Sequence, residues 1–298
     1  MVDCPPEIAT GGFSTVLVER ERLLARLDDA QPGSVVVLSA GAGFGKSTLL
    51  GQWVERRHSP VAEVLIDADV IGAVEFGRRL TQSLLNAMPD SPALRDLHDR
   101  STQSSPDWPR VLLPNLSRIL GDLELTIVID DVHLLTSADG RDMLRQLFKM
   151  MRAPSRLVVG GRNVEKFAIA RQQVQGRMVL LGESDLSFTV DEVGQRIGVA
   201  ATDVELLAKD VHQRTGGWPV GVDLLAASRH SAPVEGWCPT TSWTLSRFLV
   251  EEVFARLPVD QLRFLEEAAA IAPAAAELCD VVLERDDSTR QLLSLIHI

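Results

Sequence analysis

The sequence predicts an α/β protein: a three-layer sandwich built on a mostly parallel sheet, with an all-helical part after it. Three observations carry this expectation. The run Val35 to Leu50, VVVLSAGAGFGKSTLL, passes from β-branched residues through a glycine-rich turn into an apolar-periodic helix. The run Leu125 to Asp131, LTIVIDD, reads as a buried strand that ends in two carboxylates. About five such strands alternate with helix-length segments up to residue 185, and helices alone follow.

The first run has the makings of a phosphate-binding loop. Gly41, Gly43 and Gly45 free the backbone for unusual φ/ψ, so successive N–H groups can turn toward an anion. The helix that follows adds its unpaired N-terminal donors and its dipole. Gly41, Ala42, Gly43, Phe44, Gly45, Lys46, Ser47 and Thr48 therefore form the candidate cradle. Lys46 is placed to sit between the β- and γ-phosphates, and the Ser47 hydroxyl to ligate Mg²⁺. The strict pattern has glycine where this chain has Ala40. The plainer reading is a glycine-rich strand-to-helix turn with a surface lysine, which the flanking strand and helix disfavour.

At 298 residues the chain is long enough for two domains. Its 45% hydrophobic and 24% charged residues exclude global disorder. A net charge of −11 disfavours a surface built to neutralise nucleic-acid phosphates. Any DNA contact is therefore expected from a C-terminal domain absent from this chain. Cys4, Cys238 and Cys279 are scattered and lack metal-ligand spacing, so they read as reduced thiols. With no basic segment leading into an apolar core at the N-terminus and no run long enough to span a bilayer, a cytoplasmic protein without membrane contact is expected.

Along the chain, LVERERLLARL (residues 17 to 27) predicts a short amphipathic helix, and the helix after the loop runs to Arg57. Ala62 to Ile66 predicts a second strand, followed by Asp67 and Asp69; these acids are either solvated turn formers or, at a strand's C-terminal end, nucleotide ligands. Helices are expected over 74 to 85 and 111 to 120. The Pro-, Ser- and Asp-rich stretch from Met88 to Pro109 between them predicts a surface excursion. At the end of the third strand Asp130 is placed to hold Mg²⁺ through its water shell, and Asp131 to polarise an attacking water. Arg156 to Gly160 and Met178 to Leu181 complete the strands, and Arg162 is either a γ-phosphate sensor or an ordinary surface arginine. Capping-box patterns open helices at Thr189 and Thr202, and Pro219 suits the first turn of another. Residues 230 to 241 read as a linker, and stripes at Phe248, Leu249, Val253 and Leu257, at 262 to 271 and at 274 to 283 predict further helices.

Together these motifs resemble the ATPase module of the STAND class, and more narrowly that of large LuxR-type bacterial transcriptional activators related to the maltose-regulon activator. SAGAGFGKSTLLGQW is similar to the family phrase Ser-Ala-Pro-Ala-Gly-Phe-Gly-Lys-Thr-Thr-Leu, and IVIDDVHLL to its Walker B phrase. RLVVGGR resembles the sensor strand, DLSFTVDEV the opening of the helical lid, TGGWPVGVDLLA the Gly-Trp-Pro turn, and FLVEEVFARLPVDQLRFL the start of a winged-helix region. The resemblance implies a P-loop NTPase domain over 1–185, a helical lid over 186–230 and a partial winged-helix region over 231–298. It further implies an ATP-dependent switch, closed by ADP and opened by ATP and an inducer for self-association. Lys46, Ser47, Asp130, Asp131 and Arg162 would take the roles above, Pro219 would lie against the nucleotide from the lid and Arg20 near the adenine, with His133 either in packing or just behind the residues of the site.

Departures are Gly41 in place of proline, which should loosen the loop, and Ser47 in place of threonine. The chain stops at Ile298, inside what would be the winged-helix region, so a fragment, a truncated product or a degenerate member is expected. Two other readings are a stand-alone P-loop ATPase or small-molecule kinase, and a module that binds ATP without hydrolysing it.

Overall fold

Five strands form one all-parallel sheet: β1 Val35–Ser39, β2 Val61–Leu65, β3 Thr126–Asp130, β4 Arg156–Gly161 and β5 Met178–Leu181, in the order β2-β3-β4-β1-β5. This computed structural model describes residues 17–67, 72–102, 108–164, 176–198, 204–230, 257–269, 271 and 275–296. The chain divides into two compact units, 1–225 and 226–298.

Strands β1, β3 and β4 are buried on both faces because helices cover both, whereas the edge strand β2 alternates, with Glu63 and Leu65 exposed. Val35 and Val37, Ile127 and Ile129, and Leu157 and Val159 point to one side, where helices α3 Ala73–Ala87, α4 Pro92–Thr102, α5 Trp108–Asp122 and α6 Ala138–Met150 bury Phe76, Leu97, Leu112 and Phe148. The alternate residues Val36, Leu38, Val128 and Val158 meet Leu23, Leu24 and Leu27 of α1 Glu21–Asp28 and Leu49, Leu50 and Trp53 of α2 Lys46–Glu55. The two-residue side-chain period of the strands thus separates the core into two layers. Trp53 is fully buried, and its indole N–H donates to Asp28 Oδ1 at 2.8 Å, which ties α2 to α1.

At the outer edge, side chains of α3 blunt β2. Ser83 Oγ donates to Glu63 O at 2.6 Å and an Arg79 N–H to Leu65 O at 3.3 Å, so two outward carbonyls are occupied. Arg79 also pairs with Asp67 at 2.7 Å.

Two expectations are corrected. The stretch 88–109 is not a plain surface excursion, since it contains α4. Ser91 precedes Pro92 at the first helical position, and Leu94, Leu97 and Ser101 are buried. Its turn-rich composition supplied a helix start rather than a loop. The first helix begins at Glu21 rather than Leu17, because Leu17 is exposed and Arg20 has a non-helical backbone (φ −91°, ψ 70°).

Beyond the sheet come α7 Glu183–Leu186, α8 Val190–Ile197, α9 Val204–Thr215 and α10 Pro219–His230. Thr189 caps α8 as expected: its hydroxyl accepts from Glu192 N–H, and the Glu192 carboxylate accepts from Thr189 N–H. In the second unit, α11 Val259–Ala268, α12 Ala276–Val282 and α13 Ser288–Ile296 gather Phe264, Ala268, Ile271 and the free thiol of Cys279. Asp69, the cap at Thr202, the stretch 231–241, the residues Phe248, Leu249 and Val253, and Cys4 and Cys238 lie outside the described residues. Among the described residues no helix is long and apolar enough to cross a membrane.

Candidate functional site

The C-terminal ends of β1, β3 and β4 bring the expected residues to one edge of the sheet, the usual ligand position in an open α/β fold. Strand β1 delivers residues 40–45 to the start of α2. Gly43 (φ 76°) and Gly45 (φ 70°) hold the left-handed conformation that side chains resist. Behind them, Ser39 Oγ accepts from Val164 N–H at 3.0 Å and Ala40 N–H donates to Gly161 O at 3.3 Å, joining the loop to the end of β4.

The loop's carbonyls all have donors. Lys46 Nζ donates to Ala40 O at 2.9 Å and Gly41 O at 2.8 Å. The Trp218 indole N–H donates to Ala42 O at 3.0 Å and Val220 N–H to Gly43 O at 3.2 Å. Arg20 Nη2 donates to Phe44 O at 2.9 Å and Gly45 O at 3.0 Å. A trans peptide unit points its C=O and the next N–H in opposite directions. Carbonyls 42–45 are held by groups outside the loop, so the N–H groups of 43–46 turn to its other side. Such an arrangement would suit an anion.

Lys46 is 7% exposed despite its charge. Burial lowers its pKa, and the neighbouring carboxylates of Asp130, Asp131 and Glu183 work against that shift, while Arg162 presses in the same direction as burial. Arg162, half-buried just past β4, therefore belongs to the same charged cluster. Ser47 and Thr48 are exposed in the first turn of α2.

Asp130 ends β3 half-buried, and its Oδ1 accepts from Asp131 N–H at 2.8 Å. Asp131 takes a left-handed backbone (φ 57°), uncommon for a residue other than glycine but tolerated by Asp. His133 Nδ1 lies 3.7 Å from its Oδ1. Gly160 on β4 makes room for Asp130, because an added Cβ would run into Asp130 Oδ1 and Leu50 Cδ1. We expect Gly160→Ala to destabilise the protein by about 1–3 kcal/mol, as overpacking does, read as a lowered urea midpoint with an unchanged slope.

Arg20 is 2% exposed, and its other terminal N–H donates to Leu186 O at 2.7 Å while the guanidinium lies 5.2 Å from the Phe188 ring centre. Burial pushes its pKa down to about 10, so it stays charged at neutral pH. The residue thereby links the 40–45 loop to the start of the helical part. Arg22 reinforces that link through a two-pronged pair with Glu192, at 3.0 and 2.9 Å. Pro219 is buried at the start of α10, between two residues that touch the loop. The seat is close: a Cβ on Gly43 would meet Val220 Cγ2 at 2.7 Å.

Sequence reasoning missed Trp218 and Val220 as loop contacts, Glu183, whose carboxylate accepts from Gly41 N–H at 3.0 Å, and Gly160. Only Gly160 left a local signal, since a glycine inside a strand marks a close approach.

No family model matches the chain. It is 29% identical over 189 residues to the HTH-type transcriptional regulator MalT of Klebsiella pneumoniae, a match covering 60% of this chain and 20% of the relative. It is 26% identical over 190 residues to MalT of Cronobacter sakazakii, with the same coverage. The match thus spans about a fifth of the length of these curated relatives. Among solved structures, a STAND protein with a tetratricopeptide repeat sensor from Pyrococcus horikoshii superposes with a TM-score of 0.51 at 16% identity, over 94% of this chain and 39% of that one. Over three-fifths of its length, then, this chain is homologous to the MalT transcriptional regulators, and its fold is similar to that of the Pyrococcus horikoshii STAND protein.

Proposed function

We propose that this chain is the nucleotide-operated switch module of a LuxR-type transcriptional regulator, binding ATP and ADP with Mg²⁺ at the 40–48 loop and hydrolysing ATP slowly. The observation that carries the reading is the set of donors on the loop carbonyls. Two of them, Trp218 and Val220, belong to the helical part, so the conformation of the anion nest and the seating of that part depend on each other. A switch needs such a dependence, because moving a population from 1:99 to 99:1 takes about 5.5 kcal/mol of differential binding. In this reading 1–185 is the ATPase domain, 186–230 the lid and 231–298 the start of a winged-helix region.

The residues present suit a Mg²⁺ ion shared with phosphate. Among the described residues no cluster of three His, Cys, Asp or Glu side chains could hold a metal by itself. The Ser47 hydroxyl and Asp130 would supply the protein's part, with phosphate oxygens and water completing the shell. When bound, the ion would neutralise charge on the phosphates. Lys46 holds positive charge at the nest, Asp131 accepts a proton from an attacking water, and Arg162 stands by the γ-phosphate position. Pro219 would lie on the lid side of the nucleotide, and Arg20, its guanidinium committed to the carbonyls of Leu186, Phe44 and Gly45, would act on the purine side through the loop. Self-association in the ATP state, an inducer of unknown chemistry, DNA contact through a separate domain and a cytoplasmic setting complete the proposal.

The test is phosphate release by wild type and Asp131→Asn. Slow release is expected in the wild type. In the variant it should fall on the order of tenfold or more, since the proton acceptor is gone, with ADP affinity kept. Unchanged release would remove the role given to Asp131, and fast unstimulated turnover by the wild type would count against a switch.

A further inference from the structure

The loop has one contact that the phosphate pattern does not require. Gly41 N–H donates to Glu183 Oε1 at 3.0 Å, across 142 residues of sequence, and Glu183 opens α7 directly after β5. The same Gly41 offers its carbonyl to Lys46 Nζ at 2.8 Å, so one peptide segment is gripped from the sheet edge and from the anion side at once. In the family phrase that this loop resembles, the position is proline, which has a fixed φ and no N–H to donate. Glycine releases φ and restores the donor, and Glu183 takes up that donor.

We infer that Glu183 is a positioning residue for nucleotide binding, its carboxylate doing through Gly41 N–H what a proline ring does covalently: holding the first turn of the phosphate loop in its binding conformation. The inference rests on the nucleotide reading above. Under it, the loosening expected of Gly41 is offset rather than absent. Freedom gained at φ is offset by a bond that exists only while Glu183 is in place, so loop order is tied to how β5 and α7 sit.

The experiment measures the affinity of the full chain for a fluorescent ADP analogue with Mg²⁺, for wild type, Glu183→Ala and Glu183→Gln, each with Gly41 and with Gly41→Pro. Hydrogen exchange of the peptide covering the loop is followed in parallel without nucleotide. One solvent-exposed hydrogen bond to a backbone N–H corresponds to a loss of about three- to tenfold. Glu183→Ala should weaken binding by that factor and speed exchange at the loop. Glu183→Gln, whose amide oxygen still accepts, should stay within about twofold of wild type. With proline at 41 the donor is gone, and Glu183→Ala should have no further effect. An unaltered affinity and exchange in Glu183→Ala would overturn the proposal, as would an equal loss in the proline background or in Glu183→Gln. If the proline variants do not fold, the Ala and Gln variants decide between these outcomes. If the wild type binds no nucleotide, the switch reading fails on its own, and the exchange rates alone then confirm or refute the grip of Glu183 on the loop.

Discussion

Lys46→Ala is expected to lower the affinity for ADP and ATP by on the order of 100-fold or more, because two charge-assisted contacts to phosphate are lost at about 1.5–3 kcal/mol each. The site gives further reasons for a large effect. Lys46 is 7% exposed and carries positive charge among Asp130, Asp131 and Glu183. Removing it leaves the carboxylates of Asp130 and Asp131 without that positive neighbour as an anion approaches. It also frees the carbonyls of Ala40 and Gly41, so the first turn of the loop loses a tie from within. The protein should remain folded, since the apolar contacts of α2 come from Leu49, Leu50 and Trp53, which are untouched. Isothermal titration together with circular dichroism checks both halves: retained affinity would refute the loop assignment, while a lost fold would show that Lys46 has a structural duty as well.

Arg20→Ala is the second large effect. This arginine donates to Leu186 O, Phe44 O and Gly45 O from a nearly closed environment. Gly45 O keeps the helical donor Leu49 N–H, but the other two acceptors lose the guanidinium. Buried acceptors stripped of a charged partner cost about 1–3 kcal/mol each, so a stability loss of about 3 kcal/mol is expected. For a domain of this size that corresponds to a melting temperature lower by about 6–12 °C. Arg20→Lys should recover little of it, because a single ammonium cannot fork between Leu186 on one side and the loop on the other. Nucleotide affinity should fall along with stability, since the nest loses the donor that turns Phe44 and Gly45 outward. A variant that melts like wild type would mean that water replaces the guanidinium freely and that Arg20 is no structural link.

These two residues show where sequence reading succeeds and where it stops. The position of Lys46 at the head of α2 was legible because a phosphate-loop pattern places a lysine between Gly45 and Ser47. Asp130 and Asp131 were legible for the same reason, as carboxylates at the end of an apolar strand. The five strands could be read from runs such as VVVL and TIVI, but their order could not. No periodicity says that β1 lies between β4 and β5. Arg20 shows only as a charged residue ahead of an amphipathic helix. Its function depends on carbonyls 24, 25 and 166 positions away. Trp218 and Glu183 are hidden in the same way, by contacts across 176 and 142 residues. The helix at Pro92–Thr102 was lost for a different reason: Ser and Pro mark helix starts as well as loops, and only the buried Leu94 and Leu97 decide between them.

The joint behaviour of loop and helical part is what the account most needs to be true. Titration calorimetry of the full chain with Mg²⁺ and ADP addresses it most directly. One saturable site per chain is expected for wild type, reduced in Arg20→Ala and abolished in Lys46→Ala. A well-folded wild-type protein that gives no heat of association with either ADP or ATP would contradict the account at its root.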